Sequence, residues 1–382
     1  MRQEAHLQTF DLILKTRSPI FIGCGKSITK KEYIFDSSKN EVRFLDEEKF
    51  FTYLAEHDLA DAYEGYIMEK NGRDMRDFLQ NVCRISESEL ESITRVRISG
   101  ADAADARHSL KAIHRFVRDG WGNVYIPGSS IKGALRIALL KAMILKDQKP
   151  NAESAQYLRE LEKAVDSADR KMDTHPPFDE MYFHTLKLKR AQDGIVKHSD
   201  SINSILQGIR VSDSEPIPDK NMCLTTKVDK SVNGSWHKIN LFRESIKPGV
   251  EIRCTLTLDQ SILRGRITPK DIEQAIAVFS RHYVNTVLCR YKKTNNVMNS
   301  NNVMNSKTIL LGGGVGFQSK TILGVAYPKE ALTLTAKILN KSFYKHDHLI
   351  RDREDGISPR ALKQTIYNGA FYPYGVCEVT LK

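Results

Sequence analysis

The sequence lacks any close pair of cysteines. Its six, Cys24, Cys83, Cys223, Cys254, Cys289 and Cys377, are scattered, and no CxxC occurs. That spacing excludes a cysteine-based zinc site and suits reduced thiols better than a disulfide framework. No stretch approaches the length of consecutive apolar residues that a membrane-spanning helix needs. The opening MRQEAHLQTFDLIL lacks the charged, apolar and cleavage regions of a signal peptide. We therefore expect a cytoplasmic protein with no membrane partner.

Several chemistries are missing too. A nucleotide P-loop starting at Gly128 needs lysine at 134, and Ala134 stands there. A dinucleotide fingerprint starting at Gly312 needs glycine where Phe317 stands. No GxSxG, HExxH or EF-hand pattern is present. His346 and His348 flank Asp347, and on a strand they would point the same way, but no third metal ligand is marked. No cofactor and no metal are expected.

The most informative scarcity is of acids. Lys and Arg number 58 against 47 Asp and Glu, a net charge of +11, which favours a polyanionic partner. No acid occurs from Gln274 through Lys329, from Gly120 through Lys146, or from Leu12 through Lys31. These windows keep Arg281, Arg290, Lys307 and Lys320, then Lys132, Arg136 and Lys141, then Lys15, Arg17 and Lys26. A groove that binds a phosphate backbone excludes carboxylates and presents cations. Buried strands and helices also lack acids, but they do not retain so many lysines and arginines.

With 382 residues, 41% hydrophobic and 27% charged, the chain has the length of two globular domains. Alternation predicts strands over 9–22, 33–35, 42–45, 122–127, 206–211, 222–228, 249–259, 308–311, 321–326 and 376–381. Helical patterns cover 46–62, 73–80, 129–146, 151–170 and 269–291. The segment 175–195 reads as irregular, and the acids Asp169, Asp173, Asp179 and Glu180 read as solvated. The tract NNVMNS at 295–300 repeats at 301–306 and reads as a loop that tolerates insertion. We expect an α+β fold of two RRM-like (ferredoxin-like) domains with a helical or irregular insertion. The division is 1–146, an insertion at 147–200, and 201–382 with the glycine-rich loop.

Three glycine-containing segments sit inside the acid-free windows. In the first, Gly23, Gly25 and Lys26 read as a loop after the opening strand. In the second, a strand ends at Pro127, and a helix opens on Gly128, Ser129 and Ser130 with Lys132, Gly133 and Arg136 following. Free N–H groups at a helix start attract an anion, and Lys132 and Arg136 share a face there. Gly133 would let another backbone come close. The third segment puts Gly312, Gly313, Gly314 and Gly316 into a mobile loop with exposed amides, followed by Phe317 for base stacking and Lys320 for a phosphate.

IPGSSIKGALR at 126–136 and GGGVGFQSK at 312–320 resemble the RAMP superfamily of CRISPR proteins. So do SPIFIGCGKSITKKEYIFD at 18–36, GIRVSDSEPI at 208–217 and LFRESIKPGVEIRCTLTLD at 241–259. As an ordered set they look like the subunit that caps the backbone filament of the type III-A (Csm) interference complex. Nothing in 147–200 contributes to the resemblance.

The resemblance implies two RRM-like domains and binding of the guide RNA (crRNA) towards its 3′ end. It implies the repeated backbone subunit and other Csm subunits as neighbours, target RNA nearby, and a part in crRNA maturation through host nucleases. It assigns the RNA contacts to 128–133 and 312–320, with 23–26 a weaker candidate. In the related backbone subunit an Asp in the loop after the first strand cleaves target RNA. Here 23–31 contains no Asp or Glu, which argues against cleavage. Two other readings stand beside the RNA-binding subunit. One is a RAMP endoribonuclease that trims crRNA itself, for which His114 and His282 are the nearest proton-transfer groups. The other is a basic scaffold that docks a protein through 147–200.

Overall fold

A computed structural model describes residues 6–70, 73–100, 102, 112–147, 152–166, 176–190, 193–291 and 303–382. The chain opens with β1 (Leu7–Thr16), β2 (Gly23–Ile28), β3 (Tyr33–Asp36) and β4 (Glu41–Leu45). Helices α1 (Glu47–Glu56), α2 (Ala60–Met68) and α3 (Glu87–Ser92) lead to β5 (Thr94–Ser99) and β6 (Ile113–Phe116). Then come α4 (Gly128–Asp147), α5 (Ala152–Asp166), α6 (Pro176–Phe183), β7 (Ile209–Val211), β8 (Met222–Ser231), β9 (Trp236–Ile246) and β10 (Glu251–Asp259). Helix α7 (Pro269–Thr286), β11 (Thr308–Leu310), α8 (Ala331–Ser342), α9 (His348–Glu354), β12 (Ala361–Tyr367), β13 (Ala370–Pro373) and β14 (Val376–Leu381) complete the order.

The architecture is α+β with two sheets, as expected for RRM-like units carrying a helical insertion. The first sheet has the order β11-β14-β1-β10-β7. Within it β1, α4, β7, β10, α7 and β14 follow one another as βαββαβ, with β1 in the centre between the last strand and the third. That is a split βαβ unit. Its pairings are antiparallel: Leu12 faces Cys254 on one side and Leu381 on the other. Alternation explains the placement, because Leu12 and Leu14 are fully buried while Ile13 lies on the other face of the strand. Helices α4 and α7 pack against each other, and Ile131, Leu135, Ala275 and Phe279 are buried in the main core.

The second sheet runs β2-β6-β9-β8-β5-β4-β3, with β12 and β13 attached beside β8. Helices α1 to α3 close a smaller core beneath it around Phe50, Leu54, Tyr66 and Phe78. Capping boxes start two of the helices: Ser86 with Glu89 opens α3, and Thr268 with Asp271 opens α7.

The sequence reading divides the chain at 147–200, yet strand pairing crosses that division. β1 pairs with β10 and β14, while β5 and β6 pair in parallel with β8 and β9. A local alternation pattern shows that a strand exists but not which strand lies beside it.

Several elements differ from the pattern. The 23–26 loop is strand β2 with a bulge, an edge strand of the second sheet. The strand at 122–127 is a single bridge residue, Val124, held by Arg118 and Ile217. Residues 321–326 contain a helical turn (Leu323–Ala326), not a strand. The irregular 175–195 stretch includes α6. His346 ends a 3-10 turn and His348 begins α9, where its Nδ1 lies 2.8 Å from Asp352 Oδ2, so the two histidines do not share a strand face. The first copy of NNVMNS lies outside the described residues. In the second, Met304 is buried and the Asn305 carbonyl accepts a 2.6 Å bond from Ser280 Oγ, so it is anchored to α7. Among the described residues no helix is long and apolar enough to cross a membrane.

Candidate nucleic-acid interface

The three glycine-bearing segments, far apart in the chain, meet at one groove of about 560 Å³. Ile22 and Gly23 form one lip, Ser129, Ser130, Gly133 and Arg136 of α4 another, and Gly312, Gly313 and Lys320 a third. Ala134, Ile137, Phe279 and Leu310 make an apolar floor. No carboxylate is among the described residues that line it.

Each wall is built differently from the sequence expectation. The N–H of Gly128 is not free: it donates to Asp213 Oδ1 at 2.8 Å. Gly128 is required because a side chain there would run into the Val211 and Ser212 carbonyl oxygens, where α4 presses on the strand edge. Gly133 is the opposite case. Nothing lies within 4 Å of where its Cβ would be, so it leaves space in the groove instead of admitting a neighbouring backbone. Ser129 is exposed and Ser130 half-buried.

One amide of the 312–316 turn, expected to be exposed, is tied to the neighbouring chain. Gly313 N–H donates to the Phe21 carbonyl at 2.7 Å, and Gly312 has φ +87, where a Cβ would run into that same oxygen. Left-handed backbone and close approach together demand glycine at 312. Phe317 packs partly into the main core and starts a short helical turn to Lys320, which is exposed. Gly25 and Lys26 are exposed on β2.

The cations are also sorted by the fold. Arg136 is gripped bidentately by Asp179 of α6, with Nε 2.9 Å from Oδ1 and Nη2 on Oδ2. Asp179, expected to be solvated, thus brings the insertion to the rim of the groove; Asp169 and Asp173 lie outside the described residues. Lys132 is half-buried, and burial, then the nearby Arg210 charge, holds its amine below the usual lysine range. Lys141 is not a surface cation. It is buried, donates to the Gln318 carbonyl at 3.1 Å and sits 5.0 Å from the Phe279 ring centre. Burial pushes its amine down to about 7. Its place directly after the apolar run Ile137–Leu140, among the buried residues of α4, is the signal that marks it in the sequence.

Neither histidine considered for proton transfer reaches the groove. His282 lines a separate cavity of about 180 Å³ with Lys141 and Arg290. Burial, then the Lys141 charge, pushes its imidazole down to about 4, so it is neutral at physiological pH. His114 lies on β6, paired with Ser27 and Arg243.

A match to the RAMP superfamily extends over residues 13–380. The chain belongs to the RAMP superfamily. It is 26% identical to the Mycobacterium tuberculosis CRISPR system Cms protein Csm5, over 99% of this chain and 98% of that one. Against the Streptococcus thermophilus Csm5 the identity is 28%, over 82% of this chain and 80% of that one. The crystal structure of T. onnurineus Csm5 superposes with a TM-score of 0.60 at 16% identity, covering 96% of this chain and 99% of that one. A chain in a type III-A Csm–crRNA–target RNA ternary complex gives 0.58 at 17% identity, covering 97% of this chain and all of that one. At those identities the two structures establish a shared RAMP fold.

Proposed function

We propose that this RAMP chain is a non-catalytic crRNA-binding subunit of a type III-A Csm complex. It caps the filament towards the crRNA 3′ end, beside the repeated backbone subunit, and supports crRNA maturation in cytoplasmic antiviral defence. The observation that carries the reading is the meeting of three acid-free glycine segments at one groove free of lining carboxylates. The relatives add to it, since those aligned over nearly their whole length are Csm5 proteins. Gly23, Ser129, Ser130, Gly133, Arg136, Gly312, Gly313 and Lys320 face the strand directly, with Lys132 and Phe317 beside them.

Replacing Arg136 and Lys320 with Glu puts negative charge on two lips of the groove. Complexes carrying that variant should lose the guide or hold a shortened one; assembly with full-length guide overturns the reading. Trimming is assigned to recruited nucleases. The purified chain, freed of co-purifying nuclease, should leave labelled guide precursor intact. Cleavage that follows this chain through purification would instead make it the RAMP endoribonuclease.

A further inference from the structure

The 312–320 turn has two sides, and the groove uses one of them. On the other side lie Lys227 of β8, Lys363 of β12 and Arg243 of β9. The β8–β12 register puts Lys363 opposite Asp229 and Thr365 opposite Lys227, so both lysines come out on one face. Lys363 Nζ lies 2.8 Å from Asp229 Oδ2, and Lys227 Nζ 3.8 Å from the same oxygen. Burial, then the Lys363 charge, holds the Lys227 amine below the usual lysine range.

Arg243 adds a third cation. Its guanidinium carbon is 5.0 Å from both the Phe21 and the Tyr374 ring centres. Its Nη1 is buried and has no hydrogen-bond partner among the described residues. The glycines bring the turn against this group: a Cβ on Gly314 would lie 2.5 Å from Arg243 Nη1, and one on Gly316 would lie 3.8 Å from Lys363 Cγ.

Among the described residues, Asp229 is the carboxylate paired with either lysine, and none is paired with Arg243. A half-buried excess of positive charge is costly unless an anion completes it. The lysine side chains are 22% and 29% exposed, so a ligand arriving from solvent can reach them. A phosphate suits the set, since its oxygens accept from ammonium point charges and from a guanidinium donor together.

We propose that Lys227, Lys363 and Arg243 form a second phosphate-binding subsite, on the far side of the glycine-rich turn. It takes a backbone phosphodiester of the same RNA strand that lies in the groove, so it rests on the RNA-binding reading. The strand passes over Gly314 and Gly316, where no side chain blocks it.

The test titrates the full-length chain, Lys227→Gln/Lys363→Gln and Asp229→Asn with a fluorescent single-stranded RNA at a series of KCl concentrations. The lysine double variant should bind more weakly, with a log–log salt slope shallower by about 0.7 to 1.4, the value for one or two phosphates on a single strand. Asp229→Asn removes the counter-charge and should bind more tightly, several-fold at low salt. Wild-type protein that binds RNA, with all three slopes equal and Asp229→Asn unchanged, overturns the subsite and leaves the groove reading standing. Wild-type protein that binds no RNA overturns both.

Discussion

At Arg136 two partners compete for one guanidinium. Its planar fork is held by the Asp179 carboxylate, which has the geometry that a phosphate would use. RNA entering the groove must displace Asp179 or share the arginine with it. A partly exposed ion pair is worth up to about 1 kcal/mol. We therefore expect Asp179→Asn to tighten RNA binding by up to about five-fold in an anisotropy titration, with a smaller gain at high salt. Lys141 supplies a second residue-scale prediction. Its folded amine titrates near 7, whereas the unfolded lysine keeps its ordinary, higher value. Between those values the unfolded chain binds the extra proton, so stability rises as pH climbs from about 7 towards the lysine range. Thermal unfolding followed across that window should show this contribution in the wild type and its loss in Lys141→Met. Sequence counted Lys141 and Arg136 alike as cations of one acid-free window because it counts charge without counting partners. The burial of one and the Asp179 contact of the other are properties of packing.

Helix α4 joins two glycines with opposite duties. Gly128 is where the helix start touches the β7 strand edge, and Gly133 opens onto the groove. Gly128→Ala should destabilise the protein, since the contact is with backbone that cannot move aside. Gly133→Ala should stabilise it by about 1 kcal/mol through helix propensity. Gly133→Leu should keep the fold and lose RNA. Denaturant midpoints and RNA titrations on the three variants separate these outcomes. The helix itself was legible, because its apolar residues recur at helical spacing and Pro127 marks its start. The neighbouring elements were less so. The bulged edge strand β2 carries Gly, Cys, Gly and Lys, residues with no alternating pattern. β9 and β12 were missed for a related reason: their packing depends on β6 and β8, cross-strand partners supplied from elsewhere in the chain.

Over the whole molecule, the first sheet ties the two ends of the chain together. β1 needs β10 and β14 on its flanks, so a fragment of residues 1–146 leaves its central strand with both edges open. That fragment should be aggregated or unfolded by circular dichroism and gel filtration, and a chain ending before Val376 should fail likewise. The second sheet is stitched by the fully buried Glu244, which accepts from Arg115 Nε at 2.9 Å, from the Phe116 N–H at 3.0 Å, and from Arg118 Nη2. These bonds clamp β6 to β9, whose parallel ladder among the described residues is Ile113–Phe242 and His114–Arg243. Glu244→Ala leaves the half-buried Arg115 without its carboxylate and Arg118 with Asp219 alone, and should cost up to about 3 kcal/mol in denaturant unfolding.

The amino-acid sequence alone determined the α+β class, the long helices, the acid-free windows and the glycine segments, because periodicity, helix starts and charge are local properties. It also carried the family resemblance, since ordered motifs survive in the linear string. Only the tertiary structure decided that the three glycine segments share one groove, that Asp179 holds Arg136, that Asp213 caps Gly128, and that both sheets draw strands from across the 147–200 segment. Each of these is a contact between residues distant in sequence, fixed by which strand edges and helix faces bury one another.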